Sequence, residues 1–265
     1  QLFASTRPSQ DAAEQIFIMQ GNGSVQQLTS PWTEDYMDAL HPEDARGNTD
    51  PDVSRDGRYV VFTNFSTLTA ESFILRLDLQ TGEVINLTNA TSGAMPVADS
   101  HPRYSPDGSH IVFASATGAS SQLFMMDADG HNVRPLTDAN FYDTEPAWSP
   151  NGQEIVYTSY RGTTPLEVGE EMDTNAGKPL TLPLHDWFLI KLDLRTGQEW
   201  QLTRDAGAFA HRAVWSPDGT HIAYVSFDPG SKLGQSDIYV MDADGRHAQP
   251  MQITVRTSEE FVDWR

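Results

Sequence analysis

A four-residue turn returns along this chain and constrains its fold more than any other feature. It reads Ser105-Pro106-Asp107-Gly108, Ser149-Pro150-Asn151-Gly152 and Ser216-Pro217-Asp218-Gly219, with a worn copy at Ser54-Arg55-Asp56-Gly57. A short alternating strand follows the clear copies: Ile111 to Ser115, Ile155 to Ser159 and Ile222 to Ser226. Each unit closes on a Leu-Thr or Ile-Thr pair, as at Leu136-Thr137, Leu202-Thr203 and Ile253-Thr254. A fixed period of roughly 40–50 residues built from short strands is the signature of a radial propeller. The expected fold class is therefore all-β, a propeller of four-stranded antiparallel blades.

Within a blade, the first strand ends at the Ser-Pro step, as in Ala147-Trp148-Ser149. Proline presets φ for the turn and glycine takes φ > 0. The second strand alternates β-branched and aromatic residues, as a sheet packed against neighbouring sheets requires. Third strands read Leu123 to Asp127 and Ile238 to Asp242, followed by tight Asp-Ala-Asp-Gly or Leu-Gln-Thr-Gly turns. At the chain ends, Phe261 to Arg265 is a first strand with no successor, and Leu2 to Ser5 a second strand with no predecessor. Pairing the two would make a composite blade and remove an open sheet edge. The expectation is a single domain, 1–265, of five blades: 261–265 with 1–29, 50–89, 101–138, 145–204 and 212–255. A sixth blade would have to hide between Pro31 and Asn48. Trp264 is expected to fill the slot between blades that Trp148 and Trp215 fill elsewhere.

The Trp-Ser-Pro-Asp-Gly, Ile-x-Phe-x-Ser and Met-Asp-Ala-Asp-Gly elements resemble the TolB-like β-propeller repeat, a Pro-Asp-rich cousin of the WD repeat, over nearly the whole chain. Propellers of this kind serve as a periplasmic protein-binding scaffold and as gating domains attached to serine peptidases. The resemblance implies a binding module in a periplasmic or extracellular setting. Both precedents carry further domains. Here a lone propeller is expected, without the scaffold's separate N-terminal domain and without a peptidase domain after Arg265.

Charge narrows the partners. The chain has 37 acidic against 17 basic residues, a net charge of −20. That disfavours nucleic acid and anionic membrane surfaces, which need a basic footprint. No apolar run approaches the roughly 18 residues of a spanning helix, so no membrane insertion is expected; a monomer is expected as well. Cysteine is absent, so no disulfide contributes.

The extra residues fall unevenly. Connections from first to second strand and from third to fourth are minimal turns, all leaving one end of the blades. The long segments, Thr6 to Glu14, Ser30 to Asn48, Ala90 to Asp99, Gly162 to Asp186 and Asp228 to Ser236, all leave the other end. Loops longer than a connection needs commonly carry function, with drift of tolerant surface loops as the plain alternative.

The first strand lines the channel of a propeller, so the residues just ahead of it are expected to ring its mouth. By alignment these are Asp50, His101, Glu145, Arg212 and Phe261, with His211 and Glu260 one step earlier and Asp52, Arg103 and Asp263 on the channel side. The candidate ligand-binding set is thus Asp50, Asp52, His101, Arg103, Glu145, His211, Arg212, Glu260 and Asp263. Blade-equivalent positions that mix acid, base and imidazole suit a ligand site, and suit equally a wet channel free of packing constraint. His101, His211, Asp50 and Glu145 form a plausible transition-metal set, and calcium would suit the carboxylates. Arg103 and Arg212 can neutralise the acids instead, and no cofactor is expected. The Asp-Ala-Asp-Gly turns at Asp127 and Asp242 lack the third acid and closing Glu of a calcium loop and read as hairpin turns. A glycosidase-type pair could be drawn from Asp50, Asp52, Glu145 and Asp263. There is no Gly-x-Ser-x-Gly elbow, and no catalytic residue is assigned. The expected function is non-catalytic protein or peptide binding through the long-loop face and channel mouth, with a carbohydrate-active enzyme as the alternative.

Overall fold

The computed structural model describes residues 2–5, 14–29, 46–66, 71–88, 98–118, 120–162, 186–203, 209–227 and 236–251. Strands β1 (Leu2–Ser5), β2 (Gln15–Met19) and β3 (Val25–Gln27) form one antiparallel sheet in that order. The next repeat is β4 (Arg46–Val53), β5 (Tyr59–Ser66), β6 (Ser72–Asp78) and β7 (Val84–Asn86). It is followed by β8 (Ala98–Tyr104), β9 (His110–Thr117), β10 (Ser120–Asp127) and β11 (Arg134–Pro135). Then come β12 (Tyr142–Trp148), β13 (Glu154–Tyr160), β14 (Trp187–Asp193) and β15 (Glu199–Gln201). The final repeat is β16 (Phe209–Trp215), β17 (His221–Phe227), β18 (Ser236–Asp242) and β19 (Gln249–Pro250). Pairing within the repeats is antiparallel, as β4–β5–β6–β7, β12–β13–β14–β15 and β16–β17–β18–β19 show.

The chain divides into two compact units, Gln1–Thr117 with Phe124–Arg134, and Gly118–Leu123 with Pro135–Arg265. In the first unit, period-two alternation along β5 sends Val60 and Phe62 into a core with Ile16, Leu75 and Leu77. Val61 points the other way, into a core with Ile74, Tyr104, Ile111, Phe113 and Met126. The second unit packs Val156 and Leu189 against Trp215, Ile222, Tyr224 and Met241. The second strand of a repeat is therefore buried on both faces, which is why its β-branched and aromatic residues run consecutively.

The recurring turn is a side-chain lock. The hydroxyls of Ser54, Ser105, Ser149 and Ser216 donate at 2.6–2.8 Å to Asp56, Asp107, Asn151 and Asp218. Each hydroxyl also accepts, at 2.9 Å, the backbone N–H of Tyr59, His110, Glu154 or His221. The glycine N–H returns to the serine carbonyl, and Gly57, Gly108, Gly152 and Gly219 take φ of 70–77°. The terminal threonine is a second lock. The Oγ1 atoms of Thr29, Thr88, Thr137 and Thr203 accept the backbone N–H of Ile16, Ile74, Leu123 and Leu189 at 2.9–3.1 Å.

The first strands are longer than the turn-based alignment implied. They start at Arg46, Ala98, Tyr142 and Phe209, ahead of the expected boundaries at 50, 101, 145 and 212. Asp50, His101, Glu145 and Arg212 therefore lie inside β4, β8, β12 and β16 rather than just before them. The motif hid this because a β-bulge interrupts each of these strands at that point, breaking the alternation by which a strand is read. Trp215 is 6% exposed in its core, whereas Trp148 is half-buried. The proposed closing strand Phe261 to Trp264, and nearly all of the five long segments, lie outside the described residues. Among the described residues no helix is long and apolar enough to cross a membrane.

Candidate functional site

Each bulge carries a non-glycine residue in the left-handed region: Asp50 (φ 52°), His101 (54°), Glu145 (52°) and Arg212 (52°). Such a conformation disfavours a Cβ and costs on the order of 1 kcal/mol or more. Four repeats accept that cost at the same register with four different polar side chains. The surrounding hydrogen bonds explain how each is held.

In the first unit, Asp50 Oδ2 accepts the hydroxyls of Thr49 at 2.8 Å and Thr63 at 3.4 Å. Thr63 Oγ1 in turn accepts the backbone N–H of His101 at 3.1 Å. His101 Nε2 lies 3.7 Å from Asp50 Oδ1, and its Nδ1 is 3.0 Å from Ser100 Oγ. Arg103 donates to the carbonyls of Asp50 and Pro102 at 3.1 and 2.8 Å. Asp52 Oδ2 accepts the backbone N–H of Tyr104 at 2.8 Å. The sequence-derived candidates Asp50, His101 and Arg103 are thus brought together, while Asp52 holds the neighbouring strand at Tyr104.

The second unit repeats the arrangement with one more methylene. Glu145 Oε2 accepts the Thr158 hydroxyl and the backbone N–H of Arg212, both at 2.9 Å. The longer glutamate reaches the left-handed residue of the following repeat directly, where the shorter aspartate needs Thr63 as a bridge. Oε1 faces Arg212 Nε at 3.5 Å and His211 Nδ1 at 3.8 Å. Glu145, His211 and Arg212 therefore form one cluster. Glu260 and Asp263 lie outside the described residues. The described acids at the bulges do not stand as a set of unopposed carboxylates, since Asp50 has His101 and Glu145 has Arg212 and His211 beside it.

An aromatic line that the sequence reading missed runs into the second cluster. The His211 ring lies 4.5 Å from Phe209, Phe209 meets Trp187 edge-on at 5.5 Å, and Tyr160 and Tyr142 flank Trp187 at 5.4 and 6.0 Å. Trp187 is 7% exposed, and among the described residues its buried indole N–H has no partner. An available signal was position: Tyr142, Trp187 and Phe209 each open a strand and Tyr160 closes one.

Also missed were acids buried two residues ahead of the left-handed position. Asp99 and Asp143 are 3% and 1% exposed. Asp143 Oδ1 accepts the Ser159 hydroxyl at 2.6 Å, and Ser159 Oγ accepts from Arg161 Nε at 3.2 Å. Arg161 continues to Glu199 at 2.8 Å, which also accepts the Tyr157 hydroxyl at 2.7 Å. Burial pushes the Asp143 carboxyl up to about 6, against the hydroxyl donors Ser159 and Thr137 that pull it down. Burial likewise raises Asp99, opposed by Ser115 and Thr88. The corresponding position holds Asn48 in the preceding repeat and Ala210 in the last. Its readable signal was a polar residue, in three of these four repeats, six before the serine of the recurring turn.

The Asp-Ala-Asp-Gly segments are turns in which Gly130 and Gly245 donate to the carbonyls of Asp127 and Asp242 at 2.9 Å. Asp127 and Asp242 face His110 and His221 at 3.7 Å, and Asp242 also meets His247 Nδ1 at 2.6 Å. Among the described residues, no three His, Asp or Glu side chains are grouped to hold a metal ion.

Comparison with known proteins places this geometry. The Tol-Pal system protein TolB of Francisella tularensis subsp. tularensis (strain WY96-3418) is 36% identical over 84 residues, 31% of this chain. The match spans only 18% of that relative's length. The crystal structure of TolB from Acinetobacter baumannii superimposes with a TM-score of 0.65 at 20% identity, covering 94% of this chain and 51% of that one. Oligogalacturonate lyase from Vibrio parahaemolyticus superimposes at 0.54 with 13% identity, covering 94% and 58%. At these identities the two structures speak for the fold alone, an all-β, propeller-like one. The family model described as the TolB beta propeller domain matches residues 47–182, just over half of the chain and the stretch holding three of the recurring turns. The chain belongs to the TolB beta propeller domain family.

Proposed function

We propose that the chain is a non-catalytic protein- or peptide-binding module that works through the bulge clusters of its first strands, in a periplasmic or extracellular setting. The observation that carries this reading is the repetition of one costly device in both units. A left-handed polar residue sits at a bulge, held by the acid of the preceding repeat, with imidazole or guanidinium beside it. Glycine takes such a backbone at no steric cost, yet none of the four bulge positions holds it. The designation of the F. tularensis relative as a Tol-Pal system protein supports a role within a system of several proteins. The test is affinity capture from the source organism, then titration of the purified partner against the intact chain, Asp50→Asn, Glu145→Gln and Arg212→Ala. Loss of a charged hydrogen bond at a contact predicts roughly tenfold weaker binding. Unchanged affinity in all three variants and after removal of residues 163–185 would sink the reading.

A carbohydrate-active enzyme is the second reading, favoured by the Trp187–Phe209–His211 line beside Glu145, since aromatic rings next to a carboxylate are materials of a sugar site. Against it, both Glu145 oxygens already face donors. Turnover of a polysaccharide that disappears in Glu145→Gln would establish it.

A further inference from the structure

At the other ends of the first strands, where the connections are short turns, the two units differ at one residue of the recurring turn. In the first unit, arginine stands where the other turns have proline. Arg55 Cβ lies 3.7 Å from the place a Cβ on Gly108 would occupy. Its side chain continues across the neighbouring turn, Nη1 reaching the carbonyl of Pro106 at 3.5 Å. In the second unit the counterpart is Pro150, whose Cδ lies 3.6 Å from the same place on Gly219. The proline ring ends there. Beyond it is a groove of ≈ 290 Å³ lined by Pro150, Asn151, Glu154, Trp215, Asp218 and Gly219.

The lining suits a cation on an aliphatic stem. Pro150 and Trp215 supply apolar wall, which the methylenes of a long basic side chain cover well. Asp218 is an anion at any working pH, because the Ser216 hydroxyl, then the N–H and hydroxyl of Thr220, hold its carboxyl down at about 2. Those three bonds all end on Oδ1, leaving Oδ2 outside the turn network. Among the described residues no Lys or Arg pairs with Asp218. Glu154 is already matched by Lys191 at 3.1 Å, which also donates to the Ala243 carbonyl and lies over the Trp200 ring.

We propose that this groove takes the guanidinium of an arginine side chain presented by a protein partner, filling from outside the position that Arg55 fills from within the chain in the first unit. The Pro217 carbonyl is the counterpart of the Pro106 carbonyl, and the Asp218 carboxylate supplies a charged acceptor, to which a planar guanidinium is better matched than an ammonium. The net charge of −20 brings such a partner in. The site is separate from the bulge clusters and stands or falls independently of them.

The test is nitrogen-edited NMR of the intact chain, following the Trp215 indole resonance during titration with N-acetyl-arginine amide. N-acetyl-citrulline amide, the neutral near-isostere, and N-acetyl-lysine amide serve as controls. A saturable shift with the arginine derivative, absent with citrulline and weaker with lysine, is expected. Pro150→Arg should abolish it by laying a guanidinium of the chain's own over the neighbouring turn, as Arg55 reaches the Pro106 carbonyl, with the remaining spectrum unchanged. Asp218→Asn keeps an acceptor for the turn and should weaken binding roughly tenfold. Equal responses to citrulline or lysine, no saturable shift, or an undiminished response in Asp218→Asn would each overturn the proposal, whether or not Pro150→Arg folds.

Discussion

Asp143 shows how one residue can shape the pH response of the whole fold. Burial raises its carboxyl to about 6, above the ordinary value of 3.8 that the unfolded chain retains. The folded state therefore holds a proton that the unfolded state gives up between these values. Stability contributed by protonated Asp143 is complete only below the unfolded value of 3.8, is lost as pH rises to about 6, and is flat above it. The full effect is about 3 kcal/mol at 1.36 kcal/mol per unit. Asp99, raised in the same direction, adds to the same fall. Asp107 and Asp218 act oppositely, since both sit near 2 in the fold and their contribution is lost only as pH drops below the ordinary carboxylate range. Asp143→Asn should flatten the decline in Tm between pH 4 and 6 and leave the acid limb unchanged. An unaltered decline would show that Asp143 ionises without cost, through Arg161 and the hydroxyls around it. Arg161 was visible in the sequence two residues after Ser159, but nothing in the string places it against Glu199 of β15.

Among elements, the first strand does two jobs at its two ends. Its last residue is an apolar anchor: Trp215 lies in the core with Ile222 and Met241, and its indole N–H donates to the Ala147 carbonyl at 3.3 Å. Trp148, in the same motif one repeat earlier, is only half-buried. Trp215→Ala should cost about 3–5 kcal/mol, the usual range for deleting a buried aromatic, and Trp148→Ala clearly less. Equal losses in denaturant titrations would mean that Trp148 is anchored as deeply as Trp215. The strand's middle is where alignment misled. A motif read backwards from Ser-Pro-Asp-Gly located Asp50, His101, Glu145 and Arg212 at equivalent positions. It could not show the left-handed backbone, which depends on the bulge against β5, β9, β13 and β17 rather than on the residue itself.

For the whole molecule, closure of the ring by residues 261–264 against β1 remains our proposal, and it has a direct stability test. If Trp264 occupies a slot like that of Trp215, Trp264→Ala should lower Tm by several degrees or more, since a ΔΔG of 1 kcal/mol shifts the midpoint of a 150–250-residue domain by about 2–4 °C. A melt within a degree of the parent would mean that the terminal segment does not pack in such a slot, and the five-blade count would lose its support.

The string alone determined what is local and periodic. Ser-Pro-Asp-Gly specifies its own turn, because its hydroxyl, carboxylate and glycine act within five residues. Short runs of β-branched and aromatic residues specified the second strands, which are buried on both faces, and repetition specified the family. Only the tertiary structure decided which charges meet. Glu145 and Arg212 are far apart along the chain, yet the Arg212 N–H and side chain are held by that one carboxylate. Asp99 and Asp143 read as ordinary surface acids until burial and the hydroxyls of Ser115, Thr88, Ser159 and Thr137 reveal otherwise. Turn chemistry acts over a few bonds and can be read from order. Burial and ion pairing depend on how the blades pack, which the order of residues does not state.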